Sequence, residues 1–342
     1  MEGQRKIIEA ALDQFTRATG TRTAFTDTEN AIDGREIGGF VTFSKGGNKT
    51  RFIVEVRRGV TKDNVGSIVM NLRTYAGDTL PILVADYIAP EQLETFKALG
   101  IQCLDAQGNA YVDTDWLVVF IRGMRKRKHD AQTMDKGSLF GWAGVKVTFA
   151  ILCAEKLRST TYRDVANATG VALGTVAGVM RQLKRKGYLR HTPEGTIHLH
   201  HARELADRWV LAYAEKLRAK QLVGRYETDE RMDVDAIRAC NALVGGETAA
   251  QYLQRYLKPG IETVYVADDT KQLILRLRLK KNPEGNVELR RTFWNFEYPE
   301  HEQGVTPHLL TYADLLAIPD PRTIDAATKI YDEFLDRHFR EA

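Results

Sequence analysis

Hydrophobic positions along the chain fall into three successive regions with different periods. Residues 5–19 place Ile7, Ile8, Ala11, Leu12 and Phe15 on one face at helical spacing. Strand-like runs follow at 39–43 and 51–56, then a helix at about 62–75, a buried strand at 81–85 and a helix at 90–99. A strand at 101–104 and short strands at 110–112 and 116–121 complete the region. This order predicts an α/β sandwich built on a mixed sheet. Within it, 103–111 reads as strand, turn and strand, with Gly108 and Asn109 suited to a tight turn.

A polar, basic stretch at 122–136 breaks the pattern as a domain linker does. Past it, a helix at about 142–155 is predicted to bury Val145, Phe149, Ile151 and Leu152. Thr161 is placed to cap a second helix, with Asp164 three residues on completing a box-like start. Gly170 supplies the left-handed residue that a tight corner between helices requires. A third helix at about 172–186 turns Val176, Val179 or Met180, and Leu183 inward. It leaves Gly174, Thr175, Gly178, Arg181 and Gln182 outward. Gly187, Tyr188 and Leu189 end that helix and begin a strand, and Pro193, Glu194 and Gly195 turn the chain into 196–199. Helix, turn, helix and hairpin in this order describe a winged helix-turn-helix over 138–200.

The third region returns to mixed elements. A helix at 204–220 keeps Leu205, Trp209, Ala212, Tyr213 and Leu217 in register. It is followed by a helix at 246–257, strands at 262–267, 272–279 and 287–294, and a closing helix at 323–339. No repeat of solenoid period is present. The expected class is therefore an α/β multidomain protein: an α/β unit at 1–122, the winged helix at 138–200, and a C-terminal α+β domain at 201–342.

Composition narrows the class. The 342 residues are 43% apolar and 27% charged, which suits a folded chain rather than a disordered one. The first thirty residues lack the apolar centre of a signal peptide, and no stretch of eighteen or more residues is free of charge, so the expected location is cytoplasmic, with no membrane partner. Cys103, Cys153 and Cys240 are far apart in apolar runs, which predicts reduced core residues and neither disulfides nor a zinc cluster. Net charge is only +4, but its distribution is uneven. Arg122, Arg125, Lys126, Arg127, Lys128 and His129 stand just before the winged helix, where they read either as a solvated linker or as part of a basic surface.

Charge placement inside the winged helix points to double-stranded DNA. Lys184, Arg185 and Lys186 end the third helix, and Arg190 and His191 lie on the wing, so both flanks of the helix can meet phosphates. Thr175, Arg181 and Gln182 are the hydrogen-bonding readers on the exposed face, with Arg181 suited to a guanine. Two glycines on that face cost about 1 kcal/mol each relative to alanine, which close approach of the backbone to a groove would offset. The DNA-binding set is thus Thr161, Gly174, Thr175, Gly178, Arg181, Gln182, Lys184, Arg185, Lys186, Arg190 and His191. The alternative is a winged helix used for protein contacts.

In the first region, Glu55-Val56-Arg57 at the end of a strand, followed by a helix and Pro81-Ile82-Leu83-Val84, resembles the core of the restriction-endonuclease-like fold. That resemblance implies an upstream acid and a Glu-x-Lys that hold a metal and position water. Here the lysine position is Arg57, which cannot exchange a proton, and the upstream acid is ambiguous between Asp33 and Glu36. Glu55 and Arg57 are therefore read as vestigial nuclease positions, with Glu55 paired to Arg57 or Arg58. No catalytic residue, metal or cofactor is expected. A metal-dependent DNA-processing nuclease delivered by the winged helix is the alternative function, and a structural partner protein of a mobile element a third.

The last region carries distinctive stretches at 209–218, 245–250 (Gly-Gly-Glu-Thr-Ala-Ala), 263–266 and 312–316. In these the chain resembles the AbiEi-type antitoxins, transcriptional regulators of type IV toxin-antitoxin systems, with 105–111 similar to longer members, so that the likeness spans about three quarters of the chain. The resemblance implies repression of its own operon through its promoter region. It also implies a functional partner, a nucleotidyltransferase-like toxin, that need not form a stable complex with the antitoxin. Oligomeric state is left open. At 275–281, Arg276, Arg278 and Lys280 alternate with Leu277 and Leu279, and Arg290 and Arg291 follow, giving either a second nucleic-acid surface or a solvated sheet face. Glu247 reads as an acid at a helix N-terminus, not a catalytic group.

Overall fold

The computed structural model describes residues 2–26, 31–32, 35–36, 39–57, 59–74, 79–123, 138–191, 197–230, 232–267, 270–318 and 320–341. The chain divides into two compact units, Met1–Gln132 and Thr133–Ala342. Most of the basic run before the second unit lies outside the described residues, as do Asp33 and Arg58.

The first unit runs α1 (Glu2–Thr19), β1 (Arg22–Thr26), two-residue strands β2 (Ala31–Ile32) and β3 (Arg35–Glu36), β4 (Phe40–Lys45), β5 (Asn48–Arg57), α2 (Val65–Thr74), β6 (Leu80–Ala85), α3 (Pro90–Ala98), β7 (Gln102–Asp105), β8 (Ala110–Thr114) and β9 (Leu117–Ile121). Its seven-stranded sheet has the order β1-β4-β5-β6-β7-β8-β9. The expected mixed sheet is present: β5, β6 and β7 are parallel, and antiparallel strands extend the sheet on both sides. Because successive residues of a strand face opposite sides, Phe52, Val54 and Val56 meet α1 through Ile8, Ala11, Leu12 and Phe15. Glu55 falls on the other face. The sharp turn after β7 is built by Asp105, whose carboxylate accepts the N–H groups of Gln107, Gly108 and Asn109 at 2.8–2.9 Å, while Gly108 takes φ +105°.

The second unit opens with α4 (Trp142–Cys153), α5 (Tyr162–Thr169), α6 (Leu173–Arg185) and a hairpin of β10 (Leu189–His191) and β11 (Ile197–Leu199). It continues through α7 (Ala202–Lys216), β12 (Leu222–Glu227), α8 (Val234–Arg238), β13 (Ala242–Gly245), α9 (Gly246–Gln254), β14 (Glu262–Val266), α10 (Lys271–Arg276), β15 (Lys280–Lys281) and β16 (Val287–Arg291). Helices α11 (His308–Leu316), α12 (Pro321–Ile330) and α13 (Asp336–Glu341) close the chain. The sheet order is β13-β14-β16-β12-β15, with β14 and β16 parallel. Residues 138–191 and the C-terminal elements share one core: Phe149 of α4 stacks on Trp209 of α7, whose indole N–H donates to the Val145 carbonyl at 2.8 Å.

Three expectations fail here. The strand expected at 272–279 is helix α10 and a turn through Arg278 at φ +47°, because Leu273 and Leu277, four apart, are both buried on a helical face. The basic strand face of Arg276, Arg278 and Lys280 therefore does not exist; Arg278 pairs with Glu230 at 3.2 Å and Lys280 sits on the edge strand β15. Arg290, offered with them, is buried. The strand expected to run to residue 294 stops at Arg291, after which Phe293, Trp294 and Phe296 close around Phe149. Of the cysteines only Cys103 is fully buried; Cys153 and Cys240 are partly exposed and all three are free thiols.

A buried ionic network joins the C-terminal elements. The Asp314 carboxylate on α11 accepts the hydroxyls of Tyr213 (2.8 Å) and Tyr265 (2.7 Å) and the Arg218 guanidinium (3.2 Å). On β16, Glu288 pairs with Arg290, with Arg225 at 2.6 Å, and with Arg218 at 3.8 Å. Burial alone would push the Glu288 carboxyl up, but the three arginines outweigh it and hold the group at about 2, below its ordinary 4.5. A carboxyl held below its unfolded value stabilises the fold above about pH 4.5, and that contribution is lost as pH falls toward 2. The difference is on the order of 3 kcal/mol. Glu288→Gln is thus expected to lower stability at neutral pH by a comparable amount, and to flatten the acid limb of a pH series of urea melts. An acid limb as steep as the parent's would place the pH dependence elsewhere.

Candidate nucleic-acid interface

The trihelical segment is shaped by a few local requirements. A Cβ at Gly144 of α4 would lie 1.9 Å from the Ser138 carbonyl, so only glycine lets the chain leading into the helix cross it. Arg158, in the short turn after α4, is buried and donates from Nε to the Ile151 carbonyl at 3.1 Å, which fixes the path to α5; burial lowers its pKa. Thr161 caps α5 as expected. Its hydroxyl accepts the Asp164 N–H (3.3 Å) while the Asp164 carboxylate accepts the Thr161 N–H (3.1 Å). Gly170 ends the helix at φ +63°. Val176, Val179, Met180 and Leu183 of α6 are buried at i, i+3, i+4 and i+7, which settles the inward side of that helix.

The opposite side of α6 is open and cationic. Arg181, Lys184, Arg185 and Lys186 are exposed, as is Arg190 on β10. Among the described residues none of these five has a carboxylate partner, in contrast to Arg208, Arg225 and Arg290, which are paired. Gly174 is exposed with nothing within 4 Å of where a Cβ would sit. Thr175, Gly178 and Gln182 are only half-buried, so they border this side rather than project from it. Thr161 lies at the start of α5, its hydroxyl taken up by the cap. The backbone of His191 pairs with Ile197; the hairpin tip at 192–196 lies outside the described residues.

The structure adds exposed residues that periodicity did not single out. Arg163 stands in the first turn of α5, and His198 pairs directly across from Arg190 in the hairpin. The ring of Tyr162 lies 5.9 Å from the Lys184 ammonium. The signal for Arg163 was its place two residues after the cap; His198 became visible only once the strand register was known. At the hairpin base, Tyr188 donates to Glu204 at 2.6 Å, and burial followed by this bond raises its phenol to about 12. That contact ties the hairpin to α7.

In the first unit, Glu55 is 5% exposed and forms an ion pair with Arg57, the first of the two arginines expected as its partner. Strand register places Arg57 beside Ala85 and Ala85 beside Asp105, so the three positions line one row across the sheet. The Asp105 carboxylate also accepts the Ile88 N–H at 2.9 Å and the Asn109 side-chain amide at 2.7 Å, which commits it to its turn. Among the described residues no group of three or more His, Cys, Asp or Glu side chains is placed to hold a metal ion. No helix among them is long and apolar enough to cross a membrane.

Residues 198–336 match the sequence family described as transcriptional regulator, AbiEi antitoxin, type IV TA system. The match takes in α7, the five-stranded sheet and the Asp314 network, and covers less than half of the chain. The stretch at 105–111 falls outside it, so the likeness is narrower than the three quarters expected from sequence. No curated protein and no solved structure matches the chain.

Gly174 offers a test of what meets α6. With open space at its Cβ position, Gly174→Ala is expected to stabilise the helix by about 1 kcal/mol. If a duplex approaches the backbone there, the same change weakens DNA binding. A variant that is more stable and binds DNA as well as the parent would show that no close approach occurs at this position.

Proposed function

We propose that the protein is a DNA-binding transcriptional regulator and antitoxin of a type IV toxin-antitoxin system that represses its own operon, with α4, α5, α6 and the β10–β11 hairpin acting as a winged helix-turn-helix. The observation that carries the reading is the row of unpaired cations on the free side of α6 and the hairpin. Five exposed cations with no ion-pair partner among the described residues give this side a positive charge that phosphates would neutralise, with release of counterions. Lys184, Arg185 and Lys186 also suit the negative end of the helix dipole, which explains their tolerance in the free protein but not the run of positive charge reaching Arg181 and Arg190. Arg181, near the middle of the exposed side, is the reader suited to a base edge.

The C-terminal match supports the regulator and antitoxin assignment independently of the helix geometry. On this reading the functional partner is a toxin of the same system, of nucleotidyltransferase-like chemistry. The first unit acts as a scaffold related to the endonuclease-like fold. A metal-dependent nuclease gains no support from the residues that would perform it, since Glu55 is held by Arg57 and Asp105 by its turn. We therefore propose no nuclease role for Glu55 or Asp105.

Fluorescence anisotropy with the duplex upstream of the protein's own gene tests the assignment. Neutralised phosphates give a log-log salt slope of about −0.9 per contact. Changing Lys184, Arg185 and Lys186 together to alanine is expected to reduce the slope by about two to three units. An unchanged slope would remove these residues from the phosphate contacts and the proposed orientation of α6 with them.

A further inference from the structure

A cavity of about 830 Å³ opens in the second unit between the C-terminal end of α4, the chain from Glu297 to Leu309, and the residues from Phe334 to Phe339 that close the fold. Its volume lies in the range of pockets that hold small molecules, about 300–1,000 Å³. None of its lining residues belongs to α6 or the β10–β11 hairpin, so it is separate from the cationic side described above.

The floor of the cavity is apolar, and most of its polar handles are used within the protein. Leu152, Leu309, Leu335 and Phe339 are buried there, and the ring of Phe334 packs on His308 with centroids 4.3 Å apart. Tyr298 is buried as well and donates its hydroxyl to the Val305 carbonyl at 3.0 Å. His308 is held through Nδ1 by Glu300 at 2.8 Å, and the His338 ring donates to the Leu152 carbonyl at 3.1 Å. An occupant of the floor therefore meets mainly hydrocarbon and aromatic faces.

The rim carries the charge. Glu155, Glu297 and Glu302 are exposed, and among the described residues none of their carboxylates has an ion-pair partner. Lys156 is the only lysine or arginine in the lining. A rim dominated by one sign of charge around low-dielectric walls concentrates ligands of the opposite sign. Aromatic walls add to this, because a ring face attracts a cation.

We propose that this cavity is a binding site for a small organic cation, an amine whose apolar body lies on the Leu309, Phe334 and Phe339 floor and whose ammonium group meets the glutamates of the rim. Charge decides between ligands of equal size. An anion of the same shape would face three carboxylates at the entrance, and an uncharged molecule would gain only the floor. The inference does not rest on the DNA-binding reading, since no wall of the cavity comes from the residues assigned to DNA.

Isothermal titration of the full chain with tryptamine and phenethylamine tests the proposal, beside indole-3-ethanol and indole-3-propionate, which keep the indole and change the charge. Tryptamine is expected to bind about tenfold more tightly than the neutral alcohol, and the propionate more weakly than either. Changing Glu297→Arg and Glu302→Arg together, at two exposed positions, is expected to abolish the preference for the amine while leaving the thermal melt in place. Phe334→Ala, which removes a ring from the floor, is expected to weaken the amine and the alcohol by the same factor. Amines that fail to bind at millimolar concentration, an alcohol that binds as tightly as tryptamine, or tryptamine binding that survives the double charge reversal would each overturn the proposal.

Discussion

The second unit depends on where the Asp314 carboxylate is held. This group is 1% exposed and stays in the interior because two tyrosine hydroxyls and one guanidinium surround it. An unpaired buried carboxylate costs several kcal/mol, so the helix that carries it can sit only where those donors converge. Tyr213 comes from α7, Tyr265 from β14 and Arg218 from the turn after α7, and Arg218 in turn faces Glu288 on β16. Burial first, and then the Asp314 charge, push both phenols well above their ordinary range, so they remain hydrogen-bond donors at every physiological pH.

Helix α7 carries this constraint to the helices behind the cationic side of α6. Trp209 and Tyr213 are four residues apart and stack at 5.1 Å, so one face of the helix serves both cores. Tyr213 reaches the Asp314 network, while Trp209 stacks on Phe149 and bonds the Val145 carbonyl. Phe293, Trp294 and Phe296 close the other sides of Phe149, and the Asn295 N–H donates to the Ala168 carbonyl at the end of α5 at 2.7 Å. The helices that present α6 are thus held from behind by the region that matches the antitoxin family. Among the described residues the cations on the free side of α6 have no carboxylate partner, while Asp164 is held in its cap and Glu204 by Tyr188.

What could be read from sequence follows the range of the forces involved. The cap at Thr161, the left-handed Gly170 and the inward face of α6 are set by residues within a turn of one another, and each was legible. The mixed sheet was legible for the same reason, since continuous apolar runs such as 81–85 mark strands buried on both faces. Residues 272–280 misled because Arg276, Arg278 and Lys280 alternate with leucines, imitating a strand, whereas the Leu273 and Leu277 pair that meets the core is helical. Arg290 was misplaced for a different reason. Its neighbour Glu288 was visible two residues away, but Arg218 and Asp314, which make burial of the cluster affordable, arrive from distant parts of the chain. Of the candidate interface, the cations of α6 were legible from helical spacing, while His198 required the register of the hairpin.

Hydrogen exchange of the full chain, free and bound to the duplex upstream of its gene, addresses the central claim most directly. If the free side of α6 and the hairpin meet DNA, amide exchange slows in the first turn of α6, which is bonded least within its own helix, and in β10 and β11, while α10 and the strands of the first unit exchange as before. Slowing confined to residues 271–281 or to the first unit, with α6 and the hairpin unaffected, would contradict the account.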